Sequence, residues 1–423
     1  MPYKSPAKSF IPVKPESHFP VQNLPYGIFK TGINTEPRAG TAIGDYILDL
    51  SIITKKGLIK CLASEKNVFM NDSLNEFMSL GKKIWHEARI DIKKLLDADN
   101  PILRDNEILR NECFIPVSEC EMCMPVSIGD YTDFYSSKEH ATNVGIMFRG
   151  KENALMPNWL HLPVAYHGRA SSVVLSGTDI IRPKGQTKAD DAEMPSFGPT
   201  KLLDFELEMG FFIGKGNNLG EPIPVESAGD HIFGMVLVND WSARDIQKWE
   251  YVPLGPFLAK NFATSISPWV VTMEALEPFK TKRTEQIPVP LPYLISKGDN
   301  AYDIKLDVSL KTGKSGESVI ISRSNFKNLY WDICQQLAHH TITGCNMRTG
   351  DMLASGTISG PSKDSCGSLL ELTWRGTEPI KLPNGEERKF LLDGDILSIS
   401  GYCEGDGYKV GFGEVTGKIL PAK

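Results

Sequence analysis

Apolar residues follow two different patterns along the chain. In most of the sequence they form short runs or alternate with polar residues between glycines and prolines, which is typical of strands. Between residues 74 and 96 they recur on one helical face, and Ser73 followed by Glu76 predicts a capping box at the start of that helix. A second helix is predicted over residues 328–339. Strands are predicted over residues 26–30, 38–43, 46–50, 172–175, 202–213, 232–238, 269–272, 304–311, 318–322 and 392–401.

Residues 97–125 separate two parts of this pattern. The segment contains Asp, Asn and Pro residues and lacks a clear period, which is typical of a domain junction. We therefore expect a small β-rich N-terminal unit with one helical insert, followed by a large β-rich unit. The predicted fold class is mainly β with some α structure.

Charge and composition exclude several classes of function. The chain has 46 Lys and Arg against 52 Asp and Glu, a net charge of −6 without a basic block, so we expect no nucleic-acid partner. No run approaches the ~18 apolar residues of a membrane span. The first ten residues lack the apolar stretch of a secretory signal. The eight cysteines are irregularly spaced, and Cys120 and Cys123 have no second pair for a structural zinc, so we predict reduced thiols in a cytosolic protein.

Acidic residues alternate with apolar residues in segment 203–209. On a strand, Asp204, Glu206 and Glu208 share one face while the apolar residues face the core. One interpretation is a solvated outer face that is salt-bridged to its neighbours. Because like charges at this spacing repel and no Lys or Arg alternates with them, we favour a bound cation. It stays open whether Asp204 is a ligand, supports one, or pairs with a cationic side chain.

Two other segments add carboxylates. The apolar run 232–238 leads to Asp240, which could either contribute to a site or cap a following helix. Residues 128–140 include Asp133 and His140 within a tyrosine-containing stretch, and His140 taken alone is more typical of a structural histidine than of a catalytic one. Carboxylates without a thiolate favour a hard divalent cation, so the sequence predicts Ca²⁺ or Mg²⁺ and leaves the choice between them open.

Three segments closely resemble the fumarylacetoacetate hydrolase family: IGDYTDFYSSKEHATNVG at 128–145, LLDFELEMGFF at 202–212 and NDWSARDIQKWEYVPLGPF at 239–257. The resemblance begins at Ser9 and runs almost end to end. It implies an SH3-like β-barrel domain over residues 1–124 and a mixed β-roll catalytic domain over residues 125–423, in a homodimer. The implied reaction is hydrolysis of the carbon–carbon bond of a diketo dicarboxylate, 4-fumarylacetoacetate, to fumarate and acetoacetate. That reaction is the last step of tyrosine and phenylalanine catabolism in the cytosol.

The same resemblance implies roles for individual residues. The implied metal ligands are Asp133, Glu206, Glu208 and Asp240. The implied catalytic residues are the general base His140, its orienting partner Glu371, and the oxyanion or leaving-group donors Arg244, Gln247 and Lys260. The implied substrate contacts are Tyr135, Arg149, Tyr166, Gln247, Tyr251 and Thr357. A second, structural metal ion is implied at Asp240, Lys260 and Thr264.

These residue types suit the implied chemistry. Carbon–carbon cleavage releases a carbanion, which a β-diketone delocalises as an enolate and a divalent cation stabilises. His140 would take the proton of the attacking water near neutral pH. Related decarboxylases and isomerases of 2-oxo acids share the acidic residues but need no activated water, so His140 and Glu371 favour a hydrolase. The remaining alternative is a non-catalytic binding protein that a metal ion stabilises, and the intact set of catalytic side chains argues against it.

Overall fold

The computed structural model describes residues 8–62, 66–314 and 316–423. The part before residue 124 contains a β-sheet and short helices. Its strands are β1 (Tyr26–Thr31), β2 (Arg38–Ile43), β3 (Tyr46–Asp49), β4 (Phe114–Pro116) and β5 (Cys120–Cys123). Its helices are α1 (Leu50–Lys55), α2 (Asn75–Ser79), α3 (Lys82–Leu96), α4 (Pro101–Arg104) and α5 (Glu107–Cys113). The strands form an antiparallel sheet in the order β4-β3-β2-β1-β5.

The helix predicted over residues 74–96 is two helices, α2 and α3. The chain breaks at Gly81, whose φ of +84° lies in the left-handed region that favours glycine. The Trp85 indole donates to the carbonyls of Phe77 and Met78, so these groups at the end of α2 are satisfied across the break. The predicted capping box is wrong, because Leu74 occupies the N-cap of α2 without a side-chain hydrogen bond.

The part after residue 124 is larger and also rich in strands. Its strands are β6 (Tyr131–Phe134), β7 (Ala165–Gly168), β8 (Val173–Leu175), β9 (Ile180–Ile181), β10 (Lys184–Thr187), β11 (Ser196–Pro199), β12 (Leu203–Asp204), β13 (Leu207–Ile213), β14 (Ile232–Asp240), β15 (Ser242–Ala243), β16 (Thr264–Ile266), β17 (Val271–Thr272), β18 (Lys280–Thr281), β19 (Ala301–Tyr302), β20 (Lys305–Lys311), β21 (Val319–Asn325), β22 (Met352–Ala354), β23 (Ile380–Lys381), β24 (Glu387–Arg388), β25 (Ile396–Gly405) and β26 (Tyr408–Leu420). Its helices are α6 (Lys138–Arg149), α7 (Arg244–Glu250), α8 (Met273–Leu276), α9 (Ile333–Thr341) and α10 (Leu369–Leu372).

A mixed central sheet runs in the order β7-β6-β22-β13-β14-β16-β8. Strands β6 and β22 are parallel, whereas β22, β13, β14 and β16 pair antiparallel in turn. The register places Ala354 opposite both Asp133 and Gly210, and Asp240 opposite Thr264. The C-terminal ends of β6 and β14 therefore lie at the same end of the sheet as the start of β13.

Both faces of the central sheet are covered, which explains the continuous apolar run in β14. Met235 and Leu237 join a core with strands β20, β25 and β26 of a second sheet, ordered β21-β20-β25-β26-β9. Phe233, Val236 and Val238 join another core, which they share with the N-terminal part. The predicted fold class, mainly β with a β-rich N-terminal part and a larger β-rich part, is confirmed. The boundary between residues 124 and 125 stays a prediction.

Several predicted elements have different bounds, and two of the differences have a clear local cause. The strand predicted over 202–213 is interrupted at Phe205 and Glu206, because β12 pairs with β15 whereas β13 pairs with β14. The helix predicted over 328–339 begins at Ile333 instead, because Asp332 and Gln335 form a capping box at that point. No helix within the described ranges has the length and apolar character needed to cross a bilayer.

The double burial of β14 makes a stability prediction. Leu237 is 0% exposed in the core between the two sheets, so Leu237→Ala should lower the free energy of unfolding by about 2–5 kcal/mol. The matched control is Leu219→Ala, whose side chain is 79% exposed and whose effect should stay within about 0.5 kcal/mol. Urea denaturation measures both values, and equal values for the two variants would contradict the packing described here.

Candidate active site

Four buried carboxylates converge at one end of the central sheet. Asp133 lies on β6, Glu208 near the start of β13 and Asp240 at the end of β14. Glu206 belongs to the interruption between β12 and β13, where its backbone N–H donates to Asn239. One oxygen atom of each carboxylate lies within 4.8 Å of the others. The fold thus gathers carboxylates from three separate segments of the sequence.

Two oxygens of this cluster have no hydrogen-bond partner. They are Oδ1 of Asp133 and Oε1 of Glu208, and both are buried. Burial and the charge of Asp240 raise the pKa of Asp133 well above its ordinary value, and burial and the charge of Asp133 do the same for Glu208. Unpartnered carboxylate oxygens among like charges match the oxygen ligands that a hard divalent cation takes. The four residues therefore fit a divalent metal ion.

Lys260 supplies one positive charge to the cluster. Its Nζ atom donates to Asp240 Oδ2 at 2.6 Å and forms a second ion pair with Glu206. Burial acts to lower the pKa of Lys260, but the charges of Asp240 and Glu206 outweigh it and raise that pKa. Asp240 also accepts from Thr264 Oγ1 at 2.7 Å and from the Tyr166 hydroxyl at 3.0 Å. The implied second metal site at Asp240, Lys260 and Thr264 stays a prediction, and here the Lys260 ammonium contacts Asp240 directly.

Arg244 supplies the other positive charge. It is the first residue of α7, and Nη1 donates to Glu206 Oε1 at 2.7 Å and to Gln247 Oε1 at 3.2 Å. Its Nε atom donates to Asp204 at 2.9 Å, whereas Nη2 is buried without a partner. The strand is interrupted at Phe205 and Glu206, but the apolar residues of the segment still join one core, and Asp204 and Glu206 both contact Arg244. Asp204 lies outside the cluster of four and pairs with Arg244.

His140 and Glu371 form a second buried unit. Ser137 caps α6 and accepts the backbone N–H of His140, which sets the histidine in the first turn of that helix. His140 Nδ1 lies 2.7 Å from Glu371 Oε2. Burial acts to raise the pKa of Glu371, but the charge of His140 and several hydrogen bonds outweigh it and hold that pKa below its ordinary value. The carboxylate therefore fixes the orientation of the ring and leaves Nε2 as its other polar atom.

Sequence reasoning missed the side chains that hold Glu371. Asn143 donates to it at 2.9 Å, Ser368 at 2.8 Å, and Ser359 contacts both carboxylate oxygens at 3.0 and 2.9 Å. Asn143 could have been found, because it follows His140 by three positions on the same helix. Ser368 could also have been found, because it precedes Glu371 by three positions at the N-cap of α10, whereas nothing in the sequence around Ser359 indicates its contact.

A cavity of about 380 Å³ connects the two units. The predicted site residues that line it are Asp133, Tyr135, His140, Arg149, Tyr166, Glu206, Glu208, Arg244, Gln247, Tyr251, Lys260 and Thr357. Its lining does not include Glu371, Asp240 or Thr264: Glu371 and Asp240 contact lining residues, and Thr264 contacts Asp240. Its volume is in the range of small-molecule sites.

Two of the implied substrate contacts lie at the exposed side of this cavity. The Arg149 guanidinium donates to the backbone carbonyls of Asn153 and Ala154 at 3.1 and 2.8 Å. Tyr251 is 44% exposed. A larger cavity of about 850 Å³ lies between α3 and the catalytic part, and none of the predicted site residues lines it. All the predicted site residues that line a cavity therefore line the smaller one.

Comparisons with known proteins identify the family. The family described as "Fumarylacetoacetate (FAA) hydrolase C-terminal" matches residues 130–419, and that described as "Fumarylacetoacetase N-terminal" matches residues 22–125. A fumarylacetoacetase of Homo sapiens is 59% identical over 414 residues, covering 98% of this chain and 99% of the human protein. One of Dictyostelium discoideum is 58% identical over 419 residues, covering 98% of each chain. One of Arabidopsis thaliana is 57% identical over 416 residues, covering 98% of this chain and 99% of the plant protein.

Solved structures show the same fold at much lower identity. A fumarylacetoacetate hydrolase from Exiguobacterium antarcticum has a TM-score of 0.52 at 16% identity, covering 95% of this chain and 100% of that one. A putative HpcE protein from Mycobacterium smegmatis has a TM-score of 0.50 at 17% identity, covering 94% of this chain and 99% of that one. At these identities the likeness concerns the fold alone. Together with the near full-length relatives, the two family matches show that the chain belongs to the fumarylacetoacetase family.

Proposed function

We propose that this protein hydrolyses the carbon–carbon bond of 4-fumarylacetoacetate and releases fumarate and acetoacetate. Membership of the fumarylacetoacetase family makes the chain a hydrolase. The observation that carries the substrate assignment beyond the family is the joint geometry: His140 and three of the four carboxylates line one cavity, and Glu371 and Asp240 contact these lining residues. A base beside a cation site suits attack of water on a diketone.

The metal ligands in this proposal are Asp133, Glu206, Glu208 and Asp240. Ca²⁺ and Mg²⁺ are the proposed ions, because the donors are hard carboxylate oxygens. Such an ion, when bound, supplies Lewis-acid stabilisation of the enolate form of the leaving group. The unpartnered oxygens of Asp133 and Glu208 support this ligand set.

His140 acts as the general base in this proposal. With Nδ1 held by Glu371, its Nε2 atom accepts a proton from water as the oxygen of that water bonds to the substrate carbonyl. The imidazolium that forms is stabilised by the Glu371 carboxylate, whose lowered pKa keeps it ionised. The carbon–carbon bond then breaks and leaves fumarate, and the carbon atom of the enolate takes up the proton that His140 accepted from water, which gives acetoacetate and restores the neutral imidazole.

Donors on the other side of the cavity receive the developing charge. Arg244 lines the cavity and its Nη2 atom is buried without a partner, so we assign the substrate oxyanion to this guanidinium. Gln247 accepts from Arg244 through Oε1, which leaves its amide nitrogen to donate, and Lys260 adds a fixed charge. Contacts to the substrate carboxylates and backbone are proposed for Tyr135, Arg149, Tyr166, Tyr251 and Thr357.

The first prediction concerns the cation. Calorimetric titration of Ca²⁺ or Mg²⁺ into chelator-treated protein should show one site that Glu208→Gln removes, because the variant loses a charged ligand whose Oε1 has no other partner. Glu387→Gln is the matched control, since Glu387 is exposed and outside the cluster, and it should bind as the wild type does. Equal binding by Glu208→Gln and wild type would contradict the proposed ligand set.

The second prediction concerns the base. His140→Ala should lower kcat for 4-fumarylacetoacetate by about 10²–10⁴-fold, because the water loses its proton acceptor. His161→Ala, an exposed histidine outside the cavity lining, is the control and should retain wild-type turnover. Release of fumarate and acetoacetate measures both. Unchanged turnover in His140→Ala would rule out the base role, and a wild type that releases neither product would contradict the proposed reaction.

The third prediction concerns assembly and compartment. The family resemblance also implies a cytosolic homodimer, and we propose both for this chain. The eight cysteines are free thiols, which suits a reducing compartment. Sedimentation velocity at micromolar concentration should give twice the chain mass of 46.9 kDa. A single species at the chain mass would contradict the dimer.

A further inference from the structure

Asp204 is fully buried, and four donors surround its carboxylate. Oδ1 accepts the backbone N–H of Phe205 at 2.8 Å and that of Leu369 at 2.7 Å. Oδ2 accepts the backbone N–H of Leu370 at 3.0 Å and Nε of Arg244 at 2.9 Å. Each oxygen therefore receives two hydrogen bonds, which uses its lone pairs. This saturation differs from the neighbouring cluster, where one oxygen of Asp133 and one of Glu208 have no partner.

The contact with Arg244 fixes how that side chain enters the cavity. Asp204 holds Nε, and Glu206 holds Nη1 at 2.7 Å. A guanidinium is planar, so two anchored nitrogens determine the position of the third. The third nitrogen is Nη2, the donor without a partner. Asp204 thus helps to determine where the free donor of Arg244 points.

The contacts with Leu369 and Leu370 fix a second catalytic element. These two residues begin α10, the short helix that carries Glu371. Asp204 accepts both of their backbone N–H groups, which have no partner within the helix. Glu371 in turn contacts Nδ1 of His140 at 2.7 Å. One carboxylate therefore connects Arg244 to the helix that carries Glu371.

From this geometry we infer that Asp204 is a positioning residue, which holds Arg244 and Glu371 in one fixed arrangement and is not a metal ligand. The inference rests on the proposed function, in which Arg244 donates to the oxyanion and Glu371 orients the base. Asp204 contacts Arg244 directly and contacts the helix that carries Glu371, and it does not line the cavity. Its effect on the reaction passes through these two partners.

Asp204→Asn tests this role with almost no change of shape. The amide nitrogen would face two donors whichever way the side chain is turned, because each carboxylate oxygen accepts two hydrogen bonds. We expect Arg244 to lose its orientation. The expected loss in kcat is about 10²–10³-fold, the size that removal of one oxyanion donor produces. The change in KM should stay within about threefold, since the contact acts mainly in the transition state.

Asp49→Asn is the matched control, because Asp49 makes the same kinds of contact far from the cavity. It is 0% exposed, pairs with Arg38 Nε at 2.5 Å, and accepts the N–H groups of Ser51 and Ile52 at the start of α1. Both variants lose a buried carboxylate that joins an arginine to a helix start. Assays at a temperature where both are folded should show normal kcat for Asp49→Asn and the loss for Asp204→Asn. Equal kcat values for the two variants would overturn the inference.

A double-mutant cycle separates positioning from a general structural effect. Asp204→Asn should lower kcat less in the Arg244→Gln background than in the wild type, because only the route through Glu371 remains there, whereas independent effects would multiply. Crystal structures of wild type and Asp204→Asn provide a readout without turnover. We expect Arg244 to leave Glu206, or Glu371 to leave His140. If neither Arg244 nor Glu371 moves, the inference is overturned, whether or not the wild type is active on 4-fumarylacetoacetate. An inactive wild type would contradict only the proposed function.

Discussion

The burial of several carboxylates at one point is the constraint on which the catalytic part depends. Ionised groups 4.8 Å apart repel one another, by about 3 kcal/mol per pair at an effective dielectric constant of about 20. Arg244 and Lys260 bring two positive charges against the four carboxylates. The excess of negative charge, and the unpartnered oxygens of Asp133 and Glu208, are what a divalent cation would relieve. The same two cationic side chains therefore balance the carboxylate cluster and are the proposed donors to the substrate.

The sheet architecture makes this arrangement rigid. Strand β14 is buried on both faces and ends at Asp240, and both balancing cations follow within twenty residues of that point. Leu237 and Val238 belong to different cores, so a shift of this strand would disturb both packing layers. Side chains held by such a support keep their orientation before substrate arrives. Preorganisation of this kind is the usual source of electrostatic catalysis.

The sequence pattern predicted the fold class and the positions of most strands, because burial sets the apolar pattern. It also indicated Glu206, Glu208 and Asp240, since charge next to a buried strand is unusual. The contacts of Lys260 and Arg244 with these residues could not be predicted, because they depend on how distant segments approach. Segment 203–209 contains no Lys or Arg, but this did not indicate that its carboxylates lack cationic partners, because Arg244 and Lys260 reach them from later in the sequence. The interruption at Phe205 likewise depends on a pairing partner, β15, rather than on local sequence.

Turnover of 4-fumarylacetoacetate before and after removal of the metal tests the central claim most directly. The loss of diketone absorbance should stop after chelation and return when Ca²⁺ or Mg²⁺ is added, with fumarate and acetoacetate formed in equal amounts. That result would join the buried carboxylates to the proposed reaction in one measurement. Loss of absorbance that continues unchanged in protein shown to be free of metal would contradict the account, and so would the absence of both products with either ion restored.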